Sequence, residues 1–300
     1  MLTSVCSFPQ RGPWGKSSWR GNCSGHIIKA MLEFFRPAIF CDPAEGSGTS
    51  RDVAEELRGG GRNIEYYGFD LRSGFNLLKD RLIERLPRAA DYIMFHPPYH
   101  NMIQYSGNVW GSFPHPDDLS RCKTVEEFLW KLETALYNIY EAVGKGGHYS
   151  VLIGDLRKNG DYLSLQSDLI QMAPGKLEGV IIKQQHNCVS ERAAYSGEFI
   201  PIAHEYLLNF KKDSMVVGFL DCAIQSSMRL VSLSSATWKA VVTAALNRLG
   251  GKGSLEEIYK VIAEGAQEKA KANPNWQAKV RQTLQGSALN VERGVWKLAA

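Results

Sequence analysis

Phe40-Cys41-Asp42-Pro43-Ala44-Glu45-Gly46-Ser47-Gly48-Thr49 runs from an apolar strand end through an acidic residue and a glycine turn into a helix start. Upstream, Ala38 to Asp42 has the length and apolar character of a short buried strand, and Thr49 to Arg58 has helical spacing. Gly46 and Gly48 let the backbone bend tightly and approach a flat ligand closely. A strand–turn–helix junction of this kind sits at the carboxyl edge of a parallel sheet, where α/β folds bind ligands. A glycine turn is also a common plain connection, so the neighbouring segments decide its meaning. The chain lacks G-x-G-x-x-G, and Thr49 stands where a phosphate-binding loop carries lysine, which disfavours dinucleotide and P-loop chemistry.

Working outward, a helix over Ile27 to Phe35 is stopped by Pro37, and a second strand spans Ile64 to Asp70. Asp70 ends that strand 28 residues after Asp42, where a carboxylate can accept hydrogen bonds from ribose hydroxyls. A helix is expected over Asn76 to Leu86, a third strand over Asp91 to His96, and a long amphipathic helix over Thr124 to Val143. Further strands are expected at Tyr149 to Gly154, Gly179 to Gln184 and Glu205 to Phe210. Strands separated by helices predict an α/β, Rossmann-like domain with a mostly parallel sheet and helices on both faces.

The 300 residues are 44% hydrophobic and 22% charged, which excludes a disordered or collagen-like chain. The net charge of +4 conceals an asymmetry. Residues 236–300 carry ten Lys and Arg against five Asp and Glu, leaving 25 against 26 before them. A basic module beside a neutral, enzyme-sized domain suits nucleic-acid binding, although a solvated helix surface has the same composition. The six cysteines (Cys6, Cys23, Cys41, Cys122, Cys188 and Cys222) form no C-x-x-C pair, as expected of free thiols in a reducing compartment. No apolar run approaches 18 residues and no leader pattern opens the chain. A soluble, cytoplasmic protein with no membrane partner is the expectation.

The third strand runs into Phe95-His96-Pro97-Pro98-Tyr99-His100. Two prolines rigidify the backbone and remove two N–H donors, leaving carbonyl acceptors beside an aromatic ring. Such an edge suits a planar base bearing an exocyclic amine: Tyr99 can stack on it, and His96 with the Pro97 carbonyl can accept from its two N–H groups. A plain strand stop accounts equally well for Pro-Pro alone. His96 and His100 have a metal-like i, i+4 spacing, but the prolines between them break the helix it needs, so no metal site is expected.

Together these segments resemble the amino-group DNA methyltransferases that use S-adenosylmethionine, over roughly Ser4 to Lys212. Phe8-Pro9 with Arg20-Gly21-Asn22-Cys23-Ser24-Gly25 looks like the family's N-terminal cofactor motif. Asp42-Pro43 through Gly46-Ser47-Gly48-Thr49 looks like its central cofactor loop. His96-Pro97-Pro98-Tyr99 resembles its catalytic tetrad, and His204-Glu205-Tyr206 through Phe210-Lys211-Lys212 is similar to its late strand. The resemblance implies cofactor contacts at Phe8, Arg20, Asn22, Ser24, Asp42, Gly46, Gly48, Thr49 and Asp70, and catalysis at His96, Pro97, Pro98 and Tyr99. His96 departs from the usual Asp, Asn or Ser. A neutral imidazole can accept one hydrogen bond, whereas imidazolium can accept none.

The implied reaction is methyl transfer to N6 of an adenine flipped out of double-stranded DNA. Cytosine N4 suits the same acceptors. An RNA or protein-amide methyltransferase, and a DNA-binding regulator with an inactive methylase core, are the other readings. No cysteine lies in the tetrad, against cytosine-C5 chemistry. The irregular stretch His100 to Lys123, with Tyr105, Trp110 and Phe113, is expected to become ordered around DNA.

Two domains of unequal size follow, 1–212 for methyl transfer and 236–300, joined by an unassigned connection over 213–235. In the second, helices at Thr237 to Leu249, after a Ser254 cap, and at Asn275 to Gln285 precede an alternating hairpin. This resembles a small winged-helix DNA-binding domain. Gln277, Lys279, Arg281, Gln282 and Gln285 on the third helix, with Arg293 in the hairpin turn, are candidate DNA contacts. Trp276, Val280 and Leu284 are assigned to its core. A palindromic target would call for a homodimer.

Overall fold

Alternation along the strands sets the architecture. In the computed structural model, which describes residues 2–158, 160–186, 200–212, 238–249, 251–265, 270–271 and 273–298, Ile39 and Cys41 pack with one apolar cluster while Phe40 packs with another. Ile93 and Phe95 likewise oppose Tyr92 and Met94. Strands buried on both faces need a layer of helices on each. Ile27, Ile28, Met31 and Leu32 of α1 (Gly25–Phe35) and Val53 and Ala54 of α2 (Thr49–Gly59) cover one side. Phe128, Leu132, Leu136 and Ile139 of α3 (Val125–Ala142), with Leu165 and Leu169 of α4 (Leu165–Met172), cover the other.

The strands are β1 (Val5–Ser7), β2 (Ile39–Asp42), β3 (Glu65–Gly68), β4 (Ala90–Phe95), β5 (Val143–Ile153), β6 (Leu156–Lys158), β7 (Asp161–Leu163), β8 (Lys176–Gln184) and β9 (His204–Lys211). Seven of them form one sheet in the order β3-β2-β4-β5-β9-β8-β1, and β6 and β7 pair as a separate two-stranded sheet. β9 is antiparallel to both neighbours, β5 and β8, while the other pairings in this sheet are parallel. The sheet is therefore mostly parallel, with one reversed strand inserted beside β5. Because neighbouring β2 and β4 run in parallel, the glycine turn and the His-Pro-Pro segment leave the same edge.

Local chemistry explains the helix ends. Ser24 Oγ accepts from His26 N at the start of α1, and Arg36 closes it in the left-handed region at φ 50°. Thr124 Oγ1 accepts from Glu127 N at 3.1 Å to cap α3. At the far end of α3, the buried Lys212 ammonium donates to the carbonyls of Tyr140, Glu141 and Val143 at 2.8, 3.0 and 2.7 Å. A cation there meets the negative end of the helix dipole.

The expected helix over Asn76 to Leu86 is a correction. Only a short 3-10 turn, Leu82–Arg85, forms there. Side chains take the backbone groups instead: Asn76 Oδ1 accepts from Leu78 N, and Asn138 of α3 accepts from Leu82 N while donating to the carbonyls of Leu77 and Asp80. Such bonds compete directly with the helical ladder.

The chain divides into two units, Met1–Val216 and Val217–Ala300. The second contains helices Trp238–Arg248, Leu255–Gly265 and Trp276–Ser287 and a three-stranded antiparallel sheet of Lys252–Ser254, Ala288–Glu292 and Val295–Leu298, the last in the middle. Val241, Leu246, Ile258, Ile262, Val280 and Leu284 form its core. Ser254 and Glu257 make a reciprocal cap: Glu257 N donates to Ser254 Oγ at 3.2 Å, and Ser254 N to Glu257 Oε2 at 2.8 Å. The connection 213–235 lies outside the described residues, as do Cys188 and Cys222. Cys6, Cys23, Cys41 and Cys122 are free thiols. Among the described residues no helix is long and apolar enough to cross a membrane.

Candidate active site

The glycine turn is held by the acidic residues that flank it. Gly46 and Gly48 take φ values of 55° and 86°, open to glycine but strained for other residues. Asp70 Oδ2 accepts from Gly46 N at 2.9 Å, and its Oδ1 accepts from Arg72 N at 2.8 Å. The carboxylate, two residues past β3, thus ties the segment leaving that strand to the turn after β2. Asp42 Oδ1 accepts from Ala44 N at 3.0 Å, and Ser50 Oγ donates to Asp42 Oδ2. Burial pushes the Asp42 carboxyl up to about 7, against the pull of those two hydrogen bonds. Thr49 Oγ1 donates to Asn22 Oδ1, which joins the start of α2 to the segment before α1.

These residues border a cleft of about 1050 Å³, measured out to its open mouth. Of the sequence-based cofactor candidates, Asn22, Asp42, Gly46, Thr49 and Asp70 line it. Phe8, Arg20, Ser24 and Gly48 are not on its wall. Phe8 stacks on His26 with centroids 5.7 Å apart, Arg20 is exposed, Ser24 caps α1 and Gly48 opens α2.

His96 and Pro98 also reach the cleft, whereas Pro97 and Tyr99 are set behind it. Tyr99 packs so closely on Gly154 that a Cβ at that position would lie 2.7 Å from the ring. Its hydroxyl donates to Glu205 Oε1 at 2.8 Å and meets His96 Nε2 at 3.0 Å. Glu205 Oε2 in turn accepts from Lys183 Nζ at 2.7 Å. Burial alone would raise the Glu205 carboxyl, but the Lys183 ammonium, His96 and the Tyr99 hydroxyl outweigh it and hold it below the usual range. Burial lowers the His96 pKa against the opposing pull of Glu205, and Lys183 adds to the lowering. His96 is therefore a neutral imidazole at neutral pH, able to accept a hydrogen bond. Among the described residues no group of His, Cys, Asp and Glu is placed to hold a metal ion.

Tyr105 and Trp110 line this same cleft. Tyr105 lies over Trp19, centroids 6.4 Å apart, and the Arg72 guanidinium covers the Trp19 ring at 4.7 Å. Within the stretch His100 to Lys123, the hydrogen bonds centre on Asp118. Asp118 accepts from Ser106 N and Oγ at 2.7 and 2.6 Å and from Ser120 N and Oγ at 2.8 and 2.7 Å. Arg121 donates back to the Ser106 carbonyl. Phe113 nevertheless stands 81% exposed on this loop.

Motif reading does not reach Lys183 or Trp19, includes Glu45 and Ser47 in the glycine-turn segment without giving either a role, and reaches Glu205 only as part of the late strand. A lysine inside Val180-Ile181-Ile182-Lys183 and a glutamate beginning an apolar strand are the sequence signals for Lys183 and Glu205. Ser47 Oγ is buried in the cleft wall with no hydrogen-bond partner. In the second unit, Gln277, Lys279, Arg281, Gln282 and Gln285 are all exposed on one helix, with Arg293 exposed in the hairpin turn. Val280 and Leu284 are buried, and Trp276 packs edge-on against Tyr259. Lys279 Nζ donates to Gln282 Oε1 at 2.9 Å.

No protein-family model and no curated protein sequence matches the chain. Solved structures do. A candidate DNA modification methylase of Thermus thermophilus is 15% identical, with a TM-score of 0.29 over 60% of this chain and 54% of its own. Human N-acetylserotonin methyltransferase in complex with S-adenosylmethionine is 13% identical, with a TM-score of 0.31 over 63% of this chain and 52% of its own. The N-methyltransferase NodS of Bradyrhizobium japonicum in complex with S-adenosylhomocysteine is 10% identical, with a TM-score of 0.35 over 66% of this chain and 90% of its own. The chain thus spans about half the length of the first two.

Proposed function

We propose that the chain is an S-adenosylmethionine-dependent methyltransferase acting on the exocyclic N6 of an adenine flipped out of duplex DNA. One observation carries this reading: the glycine turn with Asp70 and the strand end with His96 border a single cleft from neighbouring parallel strands. The cleft's chemistry fits the cofactor. Ser47 Oγ is an unsatisfied donor and acceptor in its wall, Asp70 is an acidic acceptor for hydroxyls, and Trp19 offers an apolar plane. These residues with Asn22 and the turn would hold S-adenosylmethionine, which when bound supplies an electrophilic methyl group.

The protein's own part is orientation. An exocyclic amine is a weak nucleophile because its lone pair is delocalised into the ring. An acceptor at His96 engages one N–H and aims the lone pair, while the proline pair presents no competing N–H donor. Flipping costs a few kcal/mol, which stacking on an aromatic face recovers by roughly 1–3 kcal/mol. Tyr105 and Trp110 are on the cleft wall for that task.

Transfer of labelled methyl to duplex DNA, followed by mass spectrometry of the nucleosides, tests the proposal. N6-methyladenine is expected. N4-methylcytosine alone would overturn the choice of base, and DNA binding without transfer would favour a regulator with an inactive core.

The acceptor role has a pH signature. His96 faces Tyr99, Glu205 and Lys183, and its pKa lies below the usual histidine value. Imidazolium cannot accept, so turnover should hold through neutral pH and fall as pH drops through that lowered pKa. A His96→Asn variant, with no titrating ring, should lose that acidic limb in a pH–rate profile; persistence of the limb would assign it to another group.

For the second unit, the proposed role is a winged-helix reader that docks the helix Trp276–Ser287 in the major groove. Arg281→Ala with Gln285→Ala removes two exposed groups and leaves the Val280 and Leu284 core in place. Specific DNA binding should weaken by about 1–3 kcal/mol per lost base contact, with cofactor binding unchanged. Unaltered sequence preference in a competition binding assay would remove the helix from target reading.

A further inference from the structure

Lys183 of β8 and Glu205 of β9 stand directly opposite one another in the antiparallel register, 7% and 8% exposed. Lys183 Nζ can only donate, and it does so to Glu205 Oε2 at 2.7 Å. A carboxylate can only accept, so the 2.8 Å contact between Tyr99 Oη and Glu205 Oε1 uses the single hydroxyl proton of Tyr99. That leaves the tyrosine oxygen as the acceptor in its 3.0 Å contact with His96 Nε2. Nε2 must therefore carry a hydrogen, and in a neutral imidazole the lone pair then resides on Nδ1.

We propose that Lys183, Glu205 and Tyr99 form a positioning relay that fixes His96 as its Nε2–H tautomer and presents Nδ1 to the cleft as the acceptor for a substrate amine N–H. The inference rests on the amine-methylation reading above and deepens it: each donor in the chain has one direction available, and the direction is set by the ammonium at its far end. A buried ion pair is a weak source of stability compared with apolar residues of the same volume. Its position behind the strand end that carries His96 gives it a different use.

The relay predicts its own reversal. In Glu205→Gln, Lys183 still donates, so the amide oxygen faces Lys183 and the amide NH₂ faces Tyr99. Tyr99 then accepts from the amide and turns its proton toward His96 Nε2. The imidazole hydrogen must move to Nδ1, and the cleft loses its acceptor.

The test uses full-length protein labelled with ¹⁵N-histidine and long-range ¹H–¹⁵N correlation spectra, with the His96 signals assigned by their loss in His96→Asn. Wild type should show the Nε2–H pattern and Glu205→Gln the Nδ1–H pattern, with S-adenosylhomocysteine affinity within twofold by calorimetry and kcat for methyl transfer at least tenfold lower. Tyr99→Phe should show both tautomers, and it serves as the second readout if the glutamine variant does not fold. An Nδ1–H pattern in wild type, or retention of a pure Nε2–H pattern in either variant, overturns the relay. Spectra as expected together with no methyl transfer by wild type would uphold the relay and overturn the proposed reaction instead.

Discussion

Replacing His96 by alanine should reduce methyl transfer by about 100- to 1000-fold, the loss typical of removing one preorganised hydrogen-bonding group at a reacting centre. Affinity for S-adenosylmethionine should stay within about twofold, because the turn proposed to hold it is tied to Asp70 and Asp42, not to His96. The expected signature is therefore a fall in kcat with cofactor binding intact, as for an interaction made chiefly in the transition state. His96→Asn restores a neutral acceptor and should recover activity to within about tenfold of wild type. Single-turnover transfer of labelled methyl measures both variants. An alanine variant with wild-type turnover would remove His96 from the chemistry and leave it as a strand stop.

The second large effect concerns stability. Lys212→Met should lower the stability of the first unit by about 2–4 kcal/mol, read as a loss of roughly 5–15 °C in Tm. Three carbonyls, those of Tyr140, Glu141 and Val143, lose their shared donor in a buried setting, and the last turn of α3 loses the cation facing its dipole. The ammonium also sits 5.0 Å from the Tyr140 ring centroid, so the replacement gives up that attraction as well. Calorimetric unfolding decides it. A shift below about 2 °C would mean that water replaces the lysine without loss.

Local signals made the glycine turn and the His-Pro-Pro-Tyr segment legible, because a turn residue, a strand end and a helix start are neighbours in sequence. The cofactor candidates on the wall of the cleft are mostly those next to such signals: Asp42, Gly46, Thr49 and Asp70. What escaped was set by contacts between distant positions. Helical spacing over Asn76 to Leu86 was locally satisfactory, yet Asn138, more than fifty residues away, takes the backbone groups that a helix would use. Lys183 and Glu205 become partners only once β8 and β9 pair in register. The stretch after His100 reads as irregular, and no local signal announces that Asp118, Ser106 and Ser120 bond to one another across a dozen residues.

The reversed strand has a consequence for how a newly made chain becomes competent. β2, β3 and β4, which carry the glycine turn, Asp70 and His96, leave the ribosome well before β9, which inserts between β5 and β8 late in synthesis. A nascent chain ending short of Glu205 already carries the residues of the glycine turn, Asp70 and His96, but Tyr99 lacks the carboxylate that accepts from its hydroxyl. The same insertion brings Lys212 to the end of α3. Arrival of one strand thus supplies both the cation at the end of α3 and the carboxylate beside Tyr99; under the proposed reaction, fragments released before it would bind the methyl donor without being able to use it.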